Sequence, residues 1–289
     1  MFFLRKSKNL LILIKNIEIC PYILLIFVRY SFIMKSICYE EEKAMGELVA
    51  VLSGKGGTGK TSVCAGVATA LAELGARVLC IDCDVGLRNL DISLGLSDSA
   101  SLSFLDILSG SYSFDQIQPH PLFQKLFFLT APVNATADEV DPSAFAAMLQ
   151  QARGKYHYIF LDAPAGIDAG FRLAAQYADR IILVTGADPA AVRDAARAGQ
   201  LLEHMGKTNA RIVVNRVAKK MVASMSVTVD DVMDGTGLPL LGLVPEDPNV
   251  TLAAAFGKPL LKMTKKGAAK ACRSIAKRIQ GLPEPLSIR

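Results

Sequence analysis

Apolar residues follow two rhythms along this chain. Unbroken runs of strand length recur at "ELVAVLS" (47–53), "RVLCID" (77–82), "KLFFLTA" (125–131), "YHYIFLDA" (156–163), "RIILVTG" (180–186), "RIVVNRV" (211–217) and "LLGLVP" (240–245). Such runs predict strands buried on both faces, because an exposed face would break them with polar residues. Between them, apolar residues return every three or four positions. "TSVCAGVATALAELG" (61–75) predicts a helix stopped by Gly75, and "SLSFLDILSG" (101–110) a short one closed by Gly110. "DPSAFAAMLQQAR" (141–153) has Asp141 placed as N-cap with Pro142 in the first turn. "DPAAVRDAARAGQLLEHMG" (188–206) is a longer helix of the same kind. The alternation predicts an α/β fold: a mostly parallel, twisted sheet with helices on both faces. Ligands of such sheets lie beyond the carboxyl ends of the strands.

The alternation starts at about residue 46 and reads as one unit. Ahead of it, "LLILIKNIEICPYILLIFVRY" is apolar but interrupted by Lys15, Glu18 and Pro21. Its cleanest run, Ile19 to Val28, is shorter than the about 20 residues of a membrane span, and no small-residue cleavage site follows. Residues 1–45 are expected to be an over-extended start with no stable domain. The net charge of +5 is concentrated at the ends: residues 1–45 carry seven Lys/Arg against four Glu, and residues 258–289 nine against one. The stretch between them, with 16 basic and 22 acidic residues, is acidic, which argues against a nucleic-acid surface on the main domain. Six cysteines are scattered without the spacing of a disulfide framework, so a reducing, cytoplasmic setting is expected.

The chemistry is most legible where the first strand runs into "SGKGGTGKTS", Ser53 to Ser62. Gly54, Lys55, Gly56, Gly57, Thr58, Gly59, Lys60 and Thr61 fit G-x-x-x-x-G-K-[ST] in full. Glycines let the backbone curl so that its N–H groups point at phosphate oxygens, and the next helix turns its N-terminus to the same anion. Lys60 is expected on the β- and γ-phosphates and the Thr61 hydroxyl on Mg²⁺. Asp162 ends the "YIFLD" strand, where a carboxylate can hold Mg²⁺ through water. Asp82 and Asp84, two apart beyond the "RVLCI" run, are expected to share a face toward the γ-phosphate. One would help hold Mg²⁺ and the other would position the attacking water.

The loop motif leaves Lys55 unexplained. A lysine there, in "KGGTGKT", resembles the mark of the deviant Walker A ATPases, P-loop NTPases of the SIMIBI type. "DCDVGLRNLDISLGL" is similar to the MinD branch of the MinD/ParA family, with flagellar-number ATPases carrying a close variant. "LDAPAG" resembles the family's Walker B segment, and "VVNR" (213–216) and "VPED" (244–247) its adenine-binding segments. The resemblance covers about residues 46–262, which become the ATPase domain, with a basic helix and a proline-containing tail at 263–289. It implies an ATPase that binds ATP and Mg²⁺, hydrolyses slowly until stimulated, and positions the division site. Lys55 becomes the residue that reaches the other subunit's phosphates in an ATP-bound homodimer. Lys60 and Asp84 become the remaining catalytic residues. Thr61, Asp82 and Asp162 take the metal, and Asn215, with Arg216 beside it, reads the adenine edge. Pro245, Glu246 and Asp247 line the base from the other side, and Ser62 follows the loop. The implied partners are a division inhibitor of the MinC type and a regulator of the MinE or DivIVA-linked type. A ParA-like partition ATPase or flagellar-number ATPase is the alternative.

Two features sit less easily in that picture. Family members typically end in an amphipathic helix that binds anionic lipid, whereas this chain ends in "KKGAAKACRSIAKRIQGLPEPLSIR". Cys272, Ile275, Ala276 and Ile279 keep helical spacing, but the stripe is thin, and Pro283 and Pro285 bar a helix after Gly281. Only weak peripheral membrane contact is expected from it. Cys80 and Cys83 form C-x-x-C, for which packing is expected rather than a metal or iron–sulfur role.

Overall fold

In a computed structural model the described residues are 45–286 apart from 86, 87, 98, 100, 133–139 and 219–227. The expectation for the N-terminal segment therefore lies outside them. Residues 45–289 make one compact unit.

Among the described residues eight strands form one sheet. They are β1 (Glu47–Leu52), β2 (Val78–Asp82), β3 (Pro119–His120), β4 (Phe123–Leu129), β5 (Tyr158–Asp162), β6 (Arg180–Thr185), β7 (Ala210–Val217) and β8 (Leu240–Pro245). Their order is β3-β4-β2-β5-β1-β6-β7-β8. Every pairing is parallel except β3 with β4, a two-residue antiparallel edge that no apolar run announced.

The expected two-sided burial follows from strand geometry, since successive side chains alternate between faces. Leu48, Ala50, Leu52, Ile159, Leu161, Ile181 and Leu183 enter one core. Val49, Val51, Tyr158, Phe160, Ile182 and Val184 enter the other. Helices α1 (Lys60–Glu73) and α2 (Leu90–Leu94) cover the second face. Helices α3 (Phe104–Leu108), α4 (Pro142–Arg153), α5 (Ala169–Tyr177), α6 (Pro189–His204) and α7 (Val229–Thr236) cover the first. Helices α8 (Pro248–Ala255), α9 (Leu260–Met263) and α10 (Gly267–Ile279) complete the second layer.

Asp141 and Asp188 cap α4 and α6 by accepting from Ser143 and Ala191 N–H. The C-x-x-C pair is split by the same alternation. Cys80 is fully buried in the α1-side core, whereas Cys83 packs against the opposite one.

The thin stripe at the C-terminus also has a destination. Ala268, Ala269, Cys272, Ile275, Ala276 and Ile279 of α10 are all buried in the α1-side core. The approach is close: a Cβ on Gly66 of α1 would lie 2.6 Å from Cys272 Sγ, and one on Gly242 of β8 2.5 Å from Ile275 Cγ1. Arg273 grips Glu73 of α1, and Arg278 Nη1 donates to the Leu241 carbonyl at 2.9 Å. The apolar side of this helix is part of the protein's own interior and presents no face to a membrane.

Candidate nucleotide site

The carboxyl ends of β1, β2 and β5 converge on one point. Asp82 and Asp162 are register partners on adjacent strands, both pointing to the α1 face. Lys60, the first residue of α1, comes down on them. Its Nζ donates to Asp162 Oδ1 at 2.6 Å, with Lys60 6% and Asp162 1% exposed. Burial pushes the Asp162 carboxyl up, and the Lys60 ammonium and hydrogen bonds from Lys60 and Thr61 pull against it.

Asp82 is fully buried and its carboxyl rises to about 6, through burial first and the neighbouring Asp162 second. Both of its oxygens accept backbone N–H groups, Oδ1 from Asp84 at 3.0 Å and Oδ2 from Leu90 at 3.1 Å. β2 ends at Asp82, so the extended geometry expected to set Asp82 and Asp84 on one face does not continue. A turn closed by the Asp82 carboxylate carries Asp84 past the strand. Asp84 is nevertheless within electrostatic reach of Lys60, and burial raises its carboxyl. Within "GLRNLD", residues 86 and 87 lie outside the described residues.

The loop above is built to receive an anion. Gly57 and Gly59 take φ of 78° and 83°, the left-handed region that costs glycine nothing. A Cβ on Gly57 would meet nothing within 4 Å. Among the described residues no backbone carbonyl accepts from the N–H groups of Gly56, Gly57, Thr58 or Gly59. The buried hydroxyls of Ser53 and Thr58 have no partner. Free donors around a buried ammonium are what a phosphate chain requires. The donors expected for the metal, Thr61, Asp82 and Asp162, are hard oxygens and few. Among the described residues no group of three or more His, Cys, Asp or Glu could hold a metal ion alone. That set suits Mg²⁺, which keeps several waters and takes other ligands from phosphate.

A cleft of about 310 Å³ opens beside the loop, lined by Gly59, Ser62, Asn215, Arg216 and Pro245 to Asp247. All the residues expected at the base are thus brought together. Asn215 Nδ2 donates to the Thr58 carbonyl at 2.8 Å, and Arg216 Nη1 to the Gly57 carbonyl at 3.1 Å. Asp247 is occupied elsewhere: it accepts from Asn249, and its other oxygen accepts the Ala268 N–H at the start of α10. Ala268 and Cys272 help line the cleft, a contribution from the C-terminal helix that sequence reasoning missed.

Lys55 is the exception. It stands 36% exposed on the outer side of the loop, its Nζ 3.4 Å from Asp188 Oδ1. Asp188 carried a readable sign in "DPAA", but as a helix cap and not as a partner for the loop. Beside this pair a second cavity of about 350 Å³ is lined by Lys55 to Thr58, Gly186 to Asp188, Arg216 and Glu246.

A parallel sheet with a complete phosphate loop at its carboxyl end and a second lysine beside it defines a P-loop nucleotide-binding protein of the MinD/ParA kind. A profile of the CobQ/CobB/MinD/ParA nucleotide binding domain matches residues 49–260. The chain belongs to the MinD family of septum site-determining proteins. It is 36% identical over 244 residues to septum site-determining protein MinD of Synechocystis sp., covering 83% of this chain and 92% of that one. Its fold matches the MinC:MinD cell division protein complex of Aquifex aeolicus with a TM-score of 0.77 at 34% identity, covering 84% of this chain and 98% of that one. It matches septum site-determining MinD complexed with Mg-ADP from Pyrococcus horikoshii with a TM-score of 0.70 at 28% identity, covering 81% and 96%. No helix among the described residues is long and apolar enough to cross a membrane.

Proposed function

We propose that this protein is an ATP-driven dimer switch that positions the division site by recruiting a division inhibitor of the MinC type. The observation that carries it is the opposite setting of two lysines in one loop, Lys60 buried on Asp162 and Lys55 outside on Asp188. Lys60 then serves the phosphates held by its own chain and Lys55 those held by a second copy. The free N–H groups of the loop hold the phosphate chain, and Asn215, Arg216, Pro245 and Glu246 hold the adenine. Asp247 supports that wall through the helix starts it caps.

Thr61, Asp82 and Asp162 are the residues that would hold Mg²⁺, which when bound neutralises phosphate charge. Hydrolysis cleaves the bond between the γ-phosphorus and the β–γ bridging oxygen, which leaves with ADP, while water forms the new P–O bond and its proton passes to the phosphate product or to solvent. Asp84 orients that water. Asp82, tied to the N–H groups of Asp84 and Leu90, keeps those two residues in place beside the phosphates. A regulator of the MinE or DivIVA-linked type is the second expected partner. The C-terminal helix is not assigned a membrane role, because its apolar stripe is buried.

The test is Lys55→Ala, with mass measured by light scattering in ATP and in ADP. The Lys55–Asp188 contact is exposed and worth at most about 1 kcal/mol, so folding and nucleotide binding by the monomer should persist. The ATP-dependent dimer should disappear, and its persistence would refute the assignment.

A further inference from the structure

Asn215 and Arg216 contact the loop in an unusual way. One extra residue enters β7 between Val214 and Val217, where its pairing with β8 shifts register. A bulge of this kind re-aims side chains near a site. Its effect here is that consecutive residues, Asn215 and Arg216, donate to consecutive loop carbonyls, Thr58 and Gly57. Arg216 takes φ of 58°, and apart from Arg88 it is the only non-glycine among the described residues with positive φ. A long side chain in the left-handed region is strained and persists only where its surroundings over-determine it. Arg216 also lines both cavities, the base cleft on one side and the Lys55 cavity on the other.

We propose that Arg216 is a positioning residue that couples a bound purine to the crest of the phosphate loop. The proposal rests on the dimer-switch reading and deepens it. A base seated in the cleft packs against the Arg216 side chain and fixes the guanidinium on the Gly57 carbonyl. That carbonyl lies two residues from Lys55, so the crest is held in the setting that presents Lys55 to a second subunit. A triphosphate without a base reaches the same N–H groups but leaves Arg216 free to move, and the crest is not held.

The variant of choice is Arg216→Gly, because glycine accepts positive φ without strain and the fold is kept. Two ligands are compared, ATP and inorganic triphosphate. In wild type, ATP should drive dimerisation and protect the amides of residues 56–58 from exchange. Triphosphate at saturation should protect these amides less than ATP does and should not drive dimerisation. In Arg216→Gly, ATP affinity of the monomer should fall by less than dimerisation does, since the Arg216 side chain also packs against the base. The protein concentration needed for half-dimerisation should rise about tenfold or more, tenfold being near the low end of what one hydrogen bond from a charged donor is worth, and loop protection should fall to the triphosphate level. Arg216→Lys, which keeps a donor, should recover part of both effects.

The proposal is overturned if Arg216→Gly dimerises at the wild-type concentration, if triphosphate drives the wild-type dimer, or if ATP affinity falls in step with dimerisation, which is plain ligand binding. A wild type that stays monomeric in saturating ATP refutes the switch reading instead. Amide protection in the monomer still decides the coupling.

Discussion

The clearest quantitative consequence concerns α10, where a lipid-binding tail was the family expectation. Six of its side chains are buried. Two are isoleucines, each worth about 1.5–3 kcal/mol on burial, and the rest are alanines and a cysteine at roughly 0.8 kcal/mol per methylene equivalent. The total, about 6–9 kcal/mol, is an upper estimate because the unfolded chain already hides some surface. It matches or exceeds much of the 5–15 kcal/mol that about spans the stability of ordinary domains. Removing residues 264–289 should therefore unfold the protein and not merely solubilise it. Because unfolding by truncation is a blunt result, point substitutions sharpen it. Ile275→Ala should cost about 2–4 kcal/mol by leaving a cavity. Gly242→Ala should cost about 1–3 kcal/mol by overpacking, its Cβ landing 2.5 Å from Ile275 Cγ1. The double variant should cost less than the two together, since each change relieves the other, with a coupling of about 1 kcal/mol or more. Urea unfolding followed by circular dichroism measures all three. If Ile275→Ala costs under about 0.5 kcal/mol, or the truncated chain unfolds cooperatively at the full-length midpoint, the argument that α10 belongs to the core is wrong.

Gly59→Ala should weaken ATP binding by about tenfold or more, because the new Cβ would sit 2.2 Å from Asn215 Nδ2 at φ 83° and would displace the Asn215 contact to Thr58; titration with a fluorescent ATP analogue would contradict this by returning wild-type affinity. Lys60→Met leaves the Asp162 carboxylate buried and unpaired, at a cost of about 3–5 kcal/mol near neutral pH. The folded-state carboxyl of Asp162 is already raised by burial and rises further without Lys60. The penalty is therefore full above that raised value and shrinks as pH falls through it toward the ordinary carboxylate range. Urea midpoints of wild type and Lys60→Met should converge on acidification, and a gap that stays constant or widens would count against the buried pair. Asp188→Ala should leave nucleotide affinity unchanged while releasing Lys55, and a fall in affinity would mean that Asp188 shapes the loop itself.

The strands were legible because a parallel sheet covered on both sides demands apolar runs, and the alternation that feeds two cores is fixed by the period of the strand. The phosphate loop was legible because glycine spacing and a terminal Lys-Thr pair express a backbone requirement directly. What the pattern could not carry was direction. Asp82 and Asp84 read as two carboxylates on one face, yet the Asp82 side chain closes a turn by accepting the Asp84 N–H, and that competition between side chain and strand is decided by Leu90, eight residues on. Likewise, the stripe Cys272, Ile275, Ala276 and Ile279 reads identically whether it faces lipid or core. Gly66 and Gly242, far apart in the chain, decide the matter by leaving room for the helix to approach. Lys55 is the same problem in miniature: its position in the motif is local information, but its outward setting depends on Asp188 and the packing of α6, where Gly54 abuts the Asp194 carbonyl so closely that a Cβ would lie 2.4 Å away. A site residue's identity is thus written locally and its aim is written by distant small residues that admit or refuse a neighbour. Substituting those glycines is accordingly a more discriminating probe of this site than substituting the charges they position.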